Sequence, residues 1–115
     1  MNKTIRVLWK IYRHINKKFC NNKLKIKEIK LFKKGDLHSS FPDKKGWYNN
    51  EKKSILINQK EPIDMQVVIL LHELTHAYQH QIFREKGHLK HDKRGKKINQ
   101  KFIDETEKYL KVAFK

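Results

Sequence analysis

Apolar residues recur every three or four positions near the start of the chain, which is the period of an amphipathic helix. They are separated by lysine and arginine and comprise Ile5, Leu8, Trp9, Tyr12, Ile15 and Phe19. The polar segment "CNNK" that follows interrupts this pattern. We therefore predict a first helix that ends there and buries its apolar face.

The next segments have the alternation that is expected of strands. The run "KLKIKEIKLF" alternates apolar and charged residues with one slip in phase, and it predicts a half-exposed strand. A loop with Gly35, Pro42 and Gly46 follows, and then the short runs "WYNN" and "SILIN" predict two more strands joined by a charged turn. Together these segments predict a small three-stranded antiparallel sheet.

Two helices are predicted in the second half of the chain. From Pro62, a favourable residue for a first helical turn, the sequence runs without a breaker to Gly87. A last helix is predicted from about Lys93 to Phe114. The fold class is therefore α+β, in one domain over residues 1–115, because the chain is too short for separate catalytic and binding domains.

The candidate chemistry lies in the longer of these helices, in "HELTH". On a helix, His72 and His76 lie on one face about 6 Å apart along the axis, so both imidazoles can reach one metal ion. Glu73 between them can act as the base for a water that zinc has acidified. The pattern predicts a zinc site that hydrolyses bonds; the alternative is a histidine pair that is only hydrogen-bonded or solvated.

A catalytic zinc needs a third protein ligand. His80 continues the spacing, but it lies about 12 Å along the axis from His72 and about 40° further round with each step, so three such rings approach one ion poorly. The extended zincin spacing fails because its third position is Ile82. His88 and His91 follow Gly87, and geometry alone does not decide which of the two is the third ligand.

The net charge of +16 introduces a different candidate function, contact with nucleic acid or another polyanion. Residues 1–34 hold twelve basic residues against one acidic residue, and residues 84–101 hold eight against two. Only four of the 28 basic residues are arginine, the preferred partner of phosphates and bases, and a Lys- and Asn-rich composition also follows from an AT-rich genome. Non-specific contact is therefore a stronger expectation than sequence-specific binding.

Three segments together resemble the SprT-like domain, the metalloprotease group that includes the Spartan-type proteases of DNA-protein crosslink repair. They are "INKKFCNNKL", "GWYNNEKKSILIN" and "VVILLHELTHAYQHQ", and the likeness covers nearly the whole chain. The resemblance implies a minimal zincin fold and a zinc metalloendopeptidase; we expect the protein to be a monomer. The resemblance also implies a third zinc histidine before the last helix, a role that falls on His91 in "HDKRGKK". Asp92 and Gly95 depart from the family pattern there, which keeps His88 as an alternative.

By this resemblance, zinc bound to His72, His76 and His91 activates a water for peptide-bond hydrolysis, with Glu73 as the base. A protein or peptide substrate is expected to pair with an edge strand, for which Ser54–Asn58 is the candidate. Candidates for stabilising the transition state are Tyr48, Tyr78 and His80. The alternative functions are a basic nucleic-acid-binding module with a structural zinc, and an accessory protein of viral origin that keeps the fold without the chemistry.

The expected location is the cytoplasm, or the host cytoplasm for a viral protein. No apolar run reaches the roughly 20 residues needed to cross a bilayer, and the start of the chain lacks the pattern of a signal peptide. A single cysteine, Cys20, forms no internal disulfide, which agrees with a reducing compartment.

Overall fold

The α+β class is confirmed by the computed structural model of the chain, which describes residues 3–33, 45–84 and 93–113. The elements in chain order are α1 (Lys3–Phe19), β1 (Glu28–Phe32), β2 (Gly46–Asn49), β3 (Ser54–Asn58), α2 (Ile63–Gln81) and α3 (Lys93–Ala113). This is the predicted order of a helix, three strands and two helices. Within the described residues, no helix combines the length and the apolarity needed to span a membrane.

The sheet is mixed, and the prediction of a purely antiparallel sheet was wrong in this respect. The strand order is β1-β3-β2; β2 pairs with β3 in the antiparallel sense, but β1 pairs with β3 in the parallel sense. Alternating side chains determine which face of a strand is buried and carry no information on strand direction. The stretch between Phe32 and Gly46 is long enough to take the chain to the far side of β3.

This order also corrects the predicted edge strand. Ser54–Asn58 is the central strand β3, with a neighbour on each side, so its backbone is not open to a substrate. Four of its five residues are buried, as expected for a strand that is covered on both faces: Ser54, Ile55, Ile57 and Asn58. The strands at the edges are β1 and β2.

The chain between α1 and β1, residues 20–27, lies outside the sheet. Asn21 and Asn22 have positive φ angles of 52° and 61°, in the left-handed region that asparagine tolerates, and they end the helix as predicted. Asn16 then holds Leu24: its Oδ1 accepts from the Leu24 amide at 2.8 Å, and its Nδ2 donates to the Leu24 carbonyl at 2.9 Å. The amides of Lys25 and Ile26 likewise donate to side chains, those of Gln81 and Tyr12. Strand β1 begins at Glu28, five residues later than the pattern predicts.

Helix α2 lies at the centre of the molecule and packs on α1, α3, β2 and β3. Leu70, Leu71 and Leu74 are completely or almost completely buried. The helix ends at Gln81, six residues before the predicted stop at Gly87, which lies outside the described residues. Its last turn is closed by amide hydrogen bonds from Ile82 and Phe83 to the carbonyl of Tyr78.

Candidate active site

The two histidines of α2 converge on one point. The Nε2 atoms of His72 and His76 lie 3.1 Å apart, and the ring planes are almost perpendicular, at 89° with centroids 4.6 Å apart. One helical turn places the two side chains on the same face, as their spacing predicts. Both rings are partly exposed, so the pair faces a surface from which an ion or a substrate can enter.

The separation of these two nitrogens fits a tetrahedral metal ion. Zinc binds imidazole nitrogen at about 2.0–2.1 Å, so two ligands at the tetrahedral angle lie about 3.3–3.4 Å apart. The separation of 3.1 Å between His72 and His76 is close to this value. The donor set is also suitable, because neutral imidazole is a preferred ligand of zinc. The residues present therefore fit a metal that would be shared by the two rings.

The side chain of Glu73 projects toward the sheet side of the same helix turn. It is only 7% exposed, and its Oε2 lies 3.5 Å from the position that a Cβ on Gly46 would occupy. The carboxylate of Glu73 therefore lies in the space between the α2 backbone and Gly46, the first residue of β2. Glu73 and His72 both border an open pocket of about 380 Å³ on this side of α2. Because this pocket is open, a molecule that enters it can reach both side chains.

A second, smaller cavity of about 50 Å³ lies on the α3 side of the histidine pair. Its described lining consists of His72, Thr75, His76, Gln79, Gly95, Lys96 and Asn99. The Thr75 hydroxyl lies 2.9 Å from the carbonyl oxygen of Leu71 and 3.2 Å from Oδ1 of Asn99, so it connects α2 to α3. The first turns of α3 therefore border the candidate metal site.

Gln79 contacts His76 at Nδ1, the ring nitrogen that does not face His72. Its Oε1 lies 3.3 Å from Nδ1 of His76, and its side chain is 1% exposed. If Nδ1 carries the hydrogen and donates it to Gln79, Nε2 is left as the acceptor that a metal requires. Gln79, Thr75, Asn99 and Gly46 were not predicted as residues of the site. The spacing of Gln79, three residues after His76 on one helix, was a usable signal, whereas the contacts of Asn99 and Gly46 depend on how separate elements dock.

The third metal ligand remains a prediction. His91 and its alternative His88 both lie outside the described residues. Within the three described ranges, no three side chains of His, Cys, Asp or Glu form a group that could hold a metal ion. The described part of the site is thus the pair His72 and His76 with Glu73 beside it.

The residues considered for stabilising the transition state have other contacts. The hydroxyl of Tyr48 donates to Oδ1 of Asn50 at 2.9 Å and accepts from Nε2 of Gln81 at 2.9 Å, and burial raises the pKa of Tyr48. The ring of His80 is tilted by 42° to that of Tyr48, with centroids 6.0 Å apart. Burial lowers the pKa of His80, and the charge of Lys53 lowers it further by a smaller amount. These contacts stabilise the junction of α2 with the sheet.

Tyr78 packs among aromatic rings instead. Its ring meets Phe83 edge to face at 5.1 Å between centroids and Phe102 of α3 at 6.0 Å. Burial raises the pKa of its hydroxyl. Tyr78 therefore has a packing role between α2 and α3, and a residue that stabilises the transition state stays unassigned among the described residues.

A pair of convergent histidines with a buried glutamate between them on one helix is the arrangement of a metal-dependent hydrolase. Residues 33–100, more than half of the chain, match the model of the family described as "Putative metallopeptidase family (DUF6782)". The chain belongs to this metallopeptidase family, which implies a metal cofactor. Comparisons with curated proteins and with solved structures gave no match.

Proposed function

We propose that the protein is a zinc-dependent endopeptidase of the SprT-like kind. The observation that carries this proposal is the convergence of the His72 and His76 nitrogens at 3.1 Å, next to the buried carboxylate of Glu73. A structural zinc site needs ligands but no neighbouring base, and catalytic sites keep a position open. Membership of a metallopeptidase family supports the same reading.

Three residues of α2 have distinct roles in this proposal, two as metal ligands and one as the base. His72 and His76 would hold the metal, which when bound lowers the pKa of water and polarises a carbonyl group. Glu73 accepts a proton from the attacking water and delivers it to the leaving amine. The burial of Glu73 against Gly46 restricts the orientation of its carboxylate, so the base is positioned before substrate arrives.

His91 is our candidate for the third ligand, for a reason of chain length. It precedes Lys93, the first residue of α3, by two residues, so their Cα atoms are at most about 7 Å apart. Gly95 and Lys96, in the first turn of α3, line the same cavity as the histidine pair. His88 precedes Lys93 by five residues, a reach of up to about 18 Å, and it is the rival candidate.

The substrate is proposed to lie along the outer edge of β2. The Asn58 amide donates to the Lys45 carbonyl at 2.8 Å, so these opposed residues form a hydrogen-bonded pair. Pairs alternate along an antiparallel ladder, and the amide and carbonyl of Gly46 therefore point away from β3. Within the described residues this edge has no strand partner. An extended peptide that pairs with it would pass Glu73 and His72.

The proposal is tested by assaying the zinc-loaded protein on a denatured protein substrate, with Glu73→Gln as the variant. We expect Glu73→Gln to keep its zinc and to lose at least about 10²-fold in kcat/KM, since it removes the base and leaves the ligands. Glu107→Gln, an exposed acid of α3, is the matched control and should retain activity. Full activity in Glu73→Gln, or no zinc-dependent hydrolysis by the wild type, would refute the assignment.

One observation favours a second function, which is non-specific contact with nucleic acid. Every exposed residue of α1 is basic, namely Lys3, Arg6, Lys10, Arg13, Lys17 and Lys18, and this helix contains no acidic residue. A face with only cations along about 22 Å of helix is suited to a phosphate backbone. We propose that this face brings the peptidase close to proteins that are bound to nucleic acid.

Binding to a fluorescent 20-base-pair DNA duplex at several salt concentrations tests this second function. Replacing Arg6, Lys10 and Lys17 by glutamine should weaken binding and reduce the slope of log K against log salt by roughly one for each residue. The matched control replaces Lys52, Lys60 and Lys108, which are exposed on other elements. Equal losses in the two triple variants would mean that total charge, and not the α1 face, governs binding.

A further inference from the structure

The open pocket beside Glu73 has a mainly apolar wall. It has a volume of about 380 Å³, and its described lining consists of Lys45, Gly46, Met65, Val68, Ile69, His72 and Glu73. On α2, Met65 and Ile69 precede Glu73 by eight and four residues, and Val68 precedes His72 by four. Residues four apart share a helix face, so the apolar side chains continue the two rows that end in the reactive residues.

Val68 contributes apolar surface that the described fold leaves open. It is 46% exposed, whereas Ile69, Leu70 and Leu71, which follow it on the same helix, are buried in the core. Together with Met65 and Ile69, it forms an apolar surface at the mouth of a concave pocket. Such pockets, lined by apolar side chains with a few polar groups at one end, are typical of ligand sites. Here the polar end is His72 and Glu73.

Gly46 keeps this pocket next to the backbone edge of β2. A Cβ at position 46 would overlap Cγ2 of Ile69 and would lie 3.5 Å from Oε2 of Glu73. The missing side chain therefore allows the edge strand and α2 to approach closely. A peptide residue that pairs with Gly46 is thus held within side-chain reach of the apolar wall and the catalytic carboxylate together.

We propose that this pocket is a specificity subsite that takes a large aliphatic or aromatic side chain next to the scissile bond. This inference rests on the proposed peptidase function and adds the substrate class: segments that contain Leu, Ile, Met or Phe, which are exposed in unfolded proteins and buried in folded ones. The carboxylate of Glu73 at the inner end disfavours acidic side chains at the same position.

The test uses the zinc-loaded full chain and a synthetic library of decapeptides that is randomised at every position. Mass spectrometry of the products maps the cleavage sites. We expect large apolar residues to be enriched at one position beside the cut. Matched peptides with Leu or Ala at that position should then differ about tenfold or more in kcat/KM, as expected when an apolar pocket is filled or left empty.

Two variants connect this preference to the pocket. Val68→Trp fills the space and should reduce the Leu-to-Ala ratio of kcat/KM severalfold. Ile63→Trp is the matched control, because Ile63 is similarly exposed, at 44%, on the same helix and does not line the pocket. It should leave the ratio unchanged. In Glu73→Gln, which binds without turnover, the Leu peptide should also show a lower Kd than the Ala peptide by fluorescence anisotropy.

The outcomes separate this inference from the proposed function. Cleavage without side-chain preference, or a preference that Val68→Trp leaves intact, overturns the subsite and leaves the peptidase assignment standing. Absence of zinc-dependent cleavage of any library member overturns both. A concentration-dependent dimer that Val68→Trp abolishes would show that a second copy of the chain covers the pocket, and would also overturn the subsite.

Discussion

Gly46 of β2 lies against Ile69 of α2 with no room for a side chain between them. A methyl group at position 46 would overlap Cγ2 of Ile69, and it would lie 3.2 Å from the carbonyl oxygen of Leu56. We expect Gly46→Ala to decrease the free energy of unfolding by about 1–3 kcal/mol, because overpacking forces the strand and the helix apart. Urea denaturation measures this loss.

A double-mutant cycle identifies the cause of that loss. Ile69→Ala removes Cγ2, so Gly46→Ala should be less destabilising in the Ile69→Ala background than in the wild type. Strictly additive effects would show that the contact with Ile69 is not the source of the strain. Peptidase activity should decrease in Gly46→Ala and recover in part in the double variant, since Glu73 lies beside the same contact.

Gln79 is expected to position His76 for the metal. Gln79→Met removes the acceptor that lies 3.3 Å from Nδ1 of His76 while keeping a similar shape, and it should weaken zinc affinity about 10- to 100-fold. Competition with a chromophoric chelator measures the affinity. Gln66→Met is the matched control, since Gln66 is also buried on α2 but donates to the carbonyl of Glu61, away from the site. Equal affinities in the two variants would contradict the positioning role.

The contact between α1 and α3 should make stability depend on pH. His14 Nε2 lies 2.7 Å from Glu105 Oε2, and this hydrogen bond is the main cause that lowers the pKa of Glu105 below its ordinary value of 4.5. A depressed carboxyl pKa contributes stability above the unfolded-state pKa, and the contribution is lost as the pH falls through the folded-state value. Glu105→Gln should therefore destabilise the protein near neutral pH, with a difference that shrinks below about pH 4.5.

Urea unfolding of wild type and Glu105→Gln at a series of pH values from about 7 to about 3 gives this difference directly. Asp104→Asn is the neighbouring control. Asp104 is exposed, and the hydrogen bond that it accepts from Gln100, 2.8 Å long, lies within α3 and does not connect two helices. Its stability difference from wild type should not follow the same pH course. A Glu105→Gln difference that is constant over the range would contradict the role of the His14 contact.

Cys20 should be unreactive in the folded protein. Its side chain is 5% exposed, and burial raises the pKa of its thiol from 9.0 to about 11. Since the thiolate is the reactive form, labelling by a disulfide reagent near pH 8 should be much slower in the native protein than in urea. Labelling of the native protein as fast as that of free glutathione would show that the thiol is accessible.

Local patterns were sufficient to predict the elements of this fold. The three-to-four spacing in α1, the short apolar runs of β2 and β3 and the apolar run of α2 each specify a local conformation, and all were found in order. The parallel pairing of β1 with β3 was not predicted, since it depends on where a long connection leads the chain. The early end of α2 was not predicted either, because no breaker residue marks it; the chain leaves the helix at Arg84, a non-glycine residue with a left-handed φ of 57°.

In the candidate site, too, the features set by one helix were predictable, and those set by packing between elements were not. His72, Glu73 and His76 were predictable because a single helix positions all three, and their spacing alone brings the two rings together. Gly46 and Asn99 approach the site from β2 and α3, so their roles depend on packing between elements that are distant in sequence. Val68 forms part of an apolar run whose periodicity predicts burial, and the run itself does not indicate that Val68 stays exposed.

The most direct test of the account is the zinc content of the purified protein and four histidine variants, measured by mass spectrometry of the metal after circular dichroism has confirmed folding. We predict one zinc per chain in the wild type, in His80→Ala and in His88→Ala, and loss of the metal in His76→Ala and His91→Ala. Absence of stoichiometric zinc from the wild type, or one zinc in every variant, would contradict the metal site on which the proposed function depends.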